Sequence, residues 1–310
     1  MKVRGERECQ SCGTRWSYYE TGSVACPSCG DLRSVGVDAR TAHTDTSASI
    51  DLSAHRERFG DAPDTLPRSG IDDLQSDLRE YCRKRGFIDG GRLATLDETY
   101  LAARELLEAV DCFERLREPT DADREYLLAL LAGADDGDRP PADEVPTALR
   151  EARGMAAVRA VEAYRSDALD FLDELEAGAD RNDADRNDAD RNDADRNGTD
   201  RKDAESVDTE SDDVEIDETE SDEEAPTVTV DGENPEARIG PARDAFERLR
   251  DRVTRVDALG GDVPPAAADA LVEAADALGE YVRTGDETAL TNADDLIDDA
   301  SVDDLDPGGG

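Results

Sequence analysis

Apolar residues return at helical spacing in several windows of this chain, and each window opens and closes on punctuation that a helix uses. Ser69-x-x-Asp72 reads as a capping-box start, followed by Ile71, Leu74, Leu78 and Tyr81 on one side, with Gly86-Phe87 as the stop. Thr95-x-x-Glu98 opens a second helix carrying Tyr100, Ala103, Leu107 and Val110, which runs toward Pro119. Thr120-x-x-Asp123 opens a third with Leu127, Leu130 and Leu131. A long fourth spans 147–176 with Val158, Val161, Ala168, Leu172 and Leu175 as its stripe. These four predict an all-α bundle over 69–176.

The rhythm stops and then resumes. From Asp180 the chain repeats DRNDA-like units, and from Glu205 to Glu224 it is almost wholly acidic. A five-residue period matches neither helix nor strand. Residues 177–236 carry 24 acidic and 6 basic side chains with almost nothing apolar to bury, so a disordered acidic linker is predicted there. After Asn234-Pro235, Ala242, Phe246, Leu249, Val253 and Val256 recur until Gly260-Gly261. A second helix follows Pro264-Pro265 with Ala267, Leu271, Ala274, Leu278 and Tyr281. A shorter third carries Ala289, Ala293, Leu296 and Ala300. The module at 237–300 is therefore a helical hairpin or three-helix unit. Its apolar stripe is narrow enough that it must pack on the bundle, on its third helix or on a partner. Residues 301–310 read as a disordered tail, and 41–68, which contain both histidines (His43 and His55), as a flexible connector.

Charge changes the picture in one respect. The chain has a formal net charge of -43, with three lysines against 33 arginines. Residues 1–40 hold six basic and five acidic side chains, a formal +1, whereas the rest holds 30 basic and 74 acidic, or -44. An acid-rich, lysine-poor surface stays hydrated in concentrated salt, so a halophilic source is expected. No stretch is apolar enough for a membrane span or a signal peptide, and a cytoplasmic protein is expected.

The candidate chemistry lies in residues 9–30, CQSCGTRWSYYETGSVACPSCG. Each CxxC pair turns the chain so that two thiolates converge on one ion, and the glycine after each pair relieves the bend. Cys9, Cys12, Cys26 and Cys29 therefore form a tetrahedral four-sulfur shell. Thr14 to Tyr19, Val24-Ala25 and Leu32 to Val37 are expected to supply three short strands, making residues 1–40 a three-stranded metal ribbon. The expected fold is mostly α with this small β ribbon in front. A unit this small relies on its metal for folding. One structural zinc ion is the expected occupant. Iron is the alternative, since it accepts the same ligands and Trp16, Tyr18 and Tyr19 could shield it. Four protein thiolates leave no position for a reacting water, which argues against a catalytic zinc. Cys82 and Cys112 sit on the first two predicted helices and are expected to be buried, inert thiols.

The CxxCG…CPxCG pattern resembles the zinc ribbons of archaeal and eukaryotic transcription factor B proteins, and the short rubredoxin-type knuckles of rubrerythrins. Together with the acidic helical remainder, the chain resembles haloarchaeal zinc-ribbon proteins. The resemblance covers residues 1–40 and implies a metal module without a reaction. No nucleophile–base pair, phosphate loop or dinucleotide fingerprint accompanies it, so no enzyme is expected. The leading expectation is a non-catalytic zinc-binding adaptor, with ribbon and helices serving protein–protein contacts. One alternative is a nucleic-acid-associated ribbon using Arg15, Trp16 and Tyr18 (with Arg4, Arg7 and Arg33 nearby). A rubredoxin-like iron electron carrier is the other. Oligomeric state is not legible in the sequence.

Overall fold

The computed structural model describes residues 2–46, 48–60, 70–196 and 235–299. The chain enters through β1 (Lys2–Arg4), β2 (Glu6–Cys9), β3 (Arg15–Ser17), a single helical turn α1 (Tyr18–Thr21), β4 (Ser34–Gly36) and β5 (Arg40–Ala42). β2 is the central strand of an antiparallel sheet ordered β3-β2-β4, and β1 pairs separately with β5. The register sets Arg7 opposite both Trp16 and Gly36, and Glu8 opposite both Arg15 and Val35. The ribbon thus has three strands, but not the three expected. Glu6–Cys9 takes the central place, and Val24-Ala25 is not a strand. The chain bends there instead, because the Ala25 N–H donates to Ser23 Oγ (3.1 Å) and the Trp16 indole N–H donates to the Ser23 carbonyl (3.0 Å).

The stretch expected to be a flexible connector corrects a second reading. Its described part, through Gly60, is packed. β5 pairs with β1, and α2 (Ser53–Phe59) places Leu52 and Phe59 in the main core. His43 and His55 are buried. The physical reason is that Ala42, Leu52 and Phe59 are too widely spaced to show a period, yet each fills a place in a core built elsewhere. Arg56 locks the segment down, donating to both oxygens of Asp135 (2.6 and 2.9 Å). Residues 61–69, including the expected cap Ser69, lie outside the described residues.

The helical body comprises α3 (Ile71–Lys84), a hairpin of β6 (Ile88–Asp89) and β7 (Arg92–Leu93), α4 (Glu98–Arg115), α5 (Asp121–Gly133) and α6 (Arg150–Arg196). Ile71, Leu74, Leu78 and Tyr81 all face inward, as their spacing predicts. The Thr120–Asp123 capping box is formed in both directions. α4 instead starts at Asp97, whose side chain accepts the Tyr100 N–H, two residues beyond the expected Thr95. α6 continues past residue 176 through the first pentapeptide units to Arg196, so the helix occupies the opening part of the stretch expected to be linker. The remainder of that stretch, residues 197–234, lies outside the described residues, as does the tail.

α7 (Ile239–Ala258), α8 (Pro265–Thr284) and α9 (Glu287–Asp299) complete the fold. α7 and α8 pack on α6, and their buried side chains join those of the bundle in one continuous core. Of the alternatives open in the sequence, two hold together: the narrow stripes are covered by the bundle through α6 and by the third helix α9, whose Ala293 and Ile297 join the same core.

Candidate metal centre

Two CxxCG segments in different parts of the ribbon fold into the same local shape. The Cys9 N–H donates to the Thr14 carbonyl and the Gly13 N–H to the Cys9 carbonyl (both 2.9 Å). In the second knuckle the Cys26 N–H donates to the Asp31 carbonyl (2.9 Å) and the Gly30 N–H to the Cys26 carbonyl (2.8 Å). Gly13 and Gly30 both have φ of 72°, a left-handed conformation in which a side chain would be strained. The glycine after each pair is therefore a condition of the turn that aims both thiols inward.

The two knuckles face each other. The four Sγ atoms lie within 4.8 Å of one another, with Cys9–Cys29 at 3.7 Å and Cys12–Cys26 at 3.5 Å. A tetrahedron with metal–sulfur bonds of about 2.3 Å has edges of about 3.8 Å, so the four thiols fit a single ion. Cys9 and Cys26 are buried beside Trp16, while Cys12 and Cys29 reach the surface. The Ser11 N–H points at Cys9 Sγ (3.4 Å), the kind of backbone contact that orients a ligand from outside the coordination shell.

The thiols themselves call for a cation. Hydrogen bonding to the Thr14 hydroxyl and backbone, and then to Cys29 and Cys26, lowers Cys12 to about 6. At Cys29 the backbone hydrogen bond with Asp31 pulls downward, but sharing protons with Cys12, Cys26 and Cys9 prevails, together with some desolvation, and holds it up at about 12. Cys12 and Cys29 are thus pushed in opposite directions by the protons they share. A bound divalent ion removes that competition and keeps every sulfur as thiolate. The donor set fits such an ion, and these four residues would hold it.

The ribbon is seated on the helical body by aromatic contacts. Tyr19 packs against His43 with ring centroids 4.6 Å apart and planes tilted by 43°, and Tyr18 meets the same ring edge-on at 6.3 Å. The Tyr19 hydroxyl bonds to Thr41 Oγ1, and the Gly90 N–H donates to His43 Nδ1 (3.3 Å). Lys2 reaches Glu174 of α6 (3.0 Å). Asp38 closes the base of the ribbon by accepting the Gly5 and Glu6 N–H groups (3.0 and 2.9 Å). His43 and Asp38 carry no sequence motif, and only their position between two structured units distinguishes them.

The residues that suggested nucleic-acid contact are dispersed. Trp16 is buried in the ribbon, Tyr18 lies against His43, and Arg15 is exposed in an ion pair with Glu8 (2.7 Å). Arg7 donates to the Ser34 hydroxyl and carbonyl, Arg33 binds Asp31, and Arg4 donates to the Asp38 carbonyl. Cys82 and Cys112 are both buried and belong to no metal-ligating group among the described residues. Desolvation raises both thiols, Cys82 to about 11. No helix is long and apolar enough to cross a membrane among the described residues.

Two knuckles closing four thiols, set on a mostly helical body, define a four-cysteine metal-binding cluster of the ribbon class. The chain belongs to the DUF7117 family of unknown function, which matches residues 1–229 and again 223–297. No curated protein and no solved structure matches it.

Proposed function

We propose that this protein is a non-catalytic adaptor in which one structural zinc ion shapes the ribbon as a protein-docking head. The observation that carries this reading is the closed four-thiolate cluster held against the body by Tyr18, Tyr19 and His43. Four thiolates fill a tetrahedral shell, so the ion has no site for substrate or water and its role is to hold shape. Zinc suits that role because it has no redox chemistry of its own. The burial of Trp16 supports the protein-docking reading over the nucleic-acid one, since a buried indole offers no face to a base.

The test is metal analysis of protein purified without chelator, joined to affinity capture at high salt with wild type and Cys26→Ser. One zinc per chain and a protein partner lost with Cys26→Ser are expected. A red protein with stoichiometric iron would move the function to electron transfer. Salt-sensitive oligonucleotide binding that Arg15→Ala abolishes would replace the adaptor with a nucleic-acid factor.

A further inference from the structure

Among the described residues, large apolar side chains left in solvent gather on the ribbon. Val24, Leu32, Val35 and Val37 are exposed there, and Leu259 is the one other. Val35 lies on β4, at the edge of the sheet, and the register lines it up with Glu8 and then Arg15 across the three strands. The adjacent row, Gly36–Arg7–Trp16, faces the other way and contains the buried indole. Alternation returns Val37 to the side of Val35, and the Val37 N–H still donates to the Glu6 carbonyl (2.9 Å). Leu32, 70% exposed, stands at the entrance to the strand. Val24 lies toward the opposite face, where its carbonyl accepts the Ser34 hydroxyl (2.8 Å), and is not part of this strip.

The strip offers side chains and not a free strand edge. The Ser34 N–H donates to the Leu32 carbonyl (3.0 Å), the Ser34 carbonyl accepts from Arg7 Nη2 (3.2 Å), and the Arg4 side chain lies against Gly36. An added β-strand would have to displace these groups.

Charge narrows what can cover the strip. The ribbon is +1 with its cysteines counted as neutral, and four thiolates around a divalent ion add -2, so the loaded ribbon is close to neutral (-1) in a chain whose remainder is -44 and is the part of the molecule that repels an acidic chain least. Arg15 and Arg33 flank the apolar residues with side chains 67% and 74% exposed. Exposed pairs such as theirs with Glu8 and Asp31 are weak, so both guanidinium groups can turn to a partner's carboxylates at little cost.

We propose that Leu32, Val35 and Val37, flanked by Arg15 and Arg33, form the docking surface for an acidic segment of a partner protein with aliphatic residues set between its carboxylates. This inference rests on the adaptor reading and names the surface that reading requires. The aliphatic side chains fill the strip, and the carboxylates meet the two arginines at its rim.

The test titrates the full, zinc-loaded chain into a fluorescein-labelled peptide, Glu-Glu-Val-Asp-Ile-Asp-Glu-Glu, and into its counterpart with serine at the two aliphatic positions. Saturable binding of the first peptide alone is expected, weakened about tenfold by Val35→Asp. Leu32→Ser, at a more exposed position outside the strands, is expected to weaken it as well, and Leu259→Ser to leave it unchanged. Zinc content and circular dichroism of each variant establish that the ribbon is intact. No saturable binding, or equal binding of both peptides, overturns the proposal. A dimer seen by sedimentation equilibrium and abolished by Val35→Asp also overturns it, by giving the strip to a second copy of the chain. A captured partner that needs Cys26 but tolerates Val35→Asp sinks this surface and leaves the adaptor standing. If no partner depends on Cys26, the adaptor reading itself fails.

Discussion

Arg153 of α6 and Asp269 of α8 meet fork to fork, with Nε–Oδ1 at 2.9 Å and Nη2–Oδ2 at 2.8 Å. The same guanidinium donates to the Pro140 carbonyl (2.9 Å) and to the fully buried carboxylate of Glu105 on α4 (3.2 Å). Glu105 also takes Arg139 (3.2 Å) and the Tyr126 hydroxyl of α5. Four helices and the loop before α6 therefore share one buried polar network. Arg153→Ala strips Glu105 of a cation inside the core and is expected to cost about 3–5 kcal/mol in urea unfolding. Asp269→Asn keeps the shape, and its site is partly solvated, so about 1–2 kcal/mol is expected. Both variants should unfold in a single transition, because the network joins the C-terminal helices to the bundle.

A second tie depends on a missing side chain. Tyr164 of α6 donates to the Ala94 carbonyl (3.0 Å) and Arg283 of α8 donates to the same oxygen (3.0 Å). The Tyr164 hydroxyl lies so close to Gly279 that a Cβ there would meet it at 1.8 Å. Gly279→Ala is therefore expected to destabilise by about 1–3 kcal/mol despite the better helix propensity of alanine. In a double-mutant cycle, Tyr164→Leu should remove most of that added penalty. Additive losses would show that the two helices do not meet there.

How much of this was legible in the sequence depended on whether the cause was local. Leu74 and Leu78, or Phe246 and Leu249, announce their helices because burial on one face repeats along the chain itself. The converging cysteines are legible for a similar reason, since each CxxCG turn is closed by its own backbone. Leu52 and Phe59 are single residues filling a core made by α3, α4 and α5, and no period marks them. The hairpin at Ile88–Leu93 is too short for alternation to register, and its Asp-Gly-Gly-Arg turn is the only clue. His43 reads as a connector residue because its role is set by Tyr19 and by the Asp89-Gly90 turn, which come from two other segments.

His43 should make the seating of the ribbon sensitive to acid. Burial is the main cause lowering its pKa, while Asp89 at 3.4 Å and Asp45 oppose the shift. Its Nδ1 accepts the Gly90 N–H, a bond that a proton on that nitrogen would abolish. A histidine with a depressed folded pKa stabilises the fold above its unfolded value, near 6.5, and loses that contribution as pH falls through the folded value. Protection factors at Gly90 and Thr41, taken relative to intrinsic exchange at each pH, should therefore fall below about pH 6.5, and His43→Asn should flatten that dependence. Acid also threatens the thiolates, so zinc content must be followed in the same samples. A loss of protection that tracks zinc loss alone and persists in His43→Asn would assign the effect to the cluster.

Removing one ligand separates ribbon from body. Cys26 is a buried member of the cluster, and serine offers a harder, more weakly bound donor than thiolate. Cys26→Ser is expected to lose the ion and unfold residues 9–37, since a ribbon this small draws much of its folding free energy from the metal. The bundle should remain, because its core and that of the ribbon are separate clusters, with Trp16, Cys9 and Cys26 forming the second by themselves. Far-ultraviolet circular dichroism should keep most of its helical signal while tryptophan fluorescence shifts to the red, a clean readout because Trp16 is the only tryptophan in the chain. Cys82→Ser and Cys112→Ser should leave the metal count at one. Loss of the ion from either variant would mean that the ligand set is wrong, and collapse of the helical signal in Cys26→Ser would mean that the body depends on the ribbon for its fold.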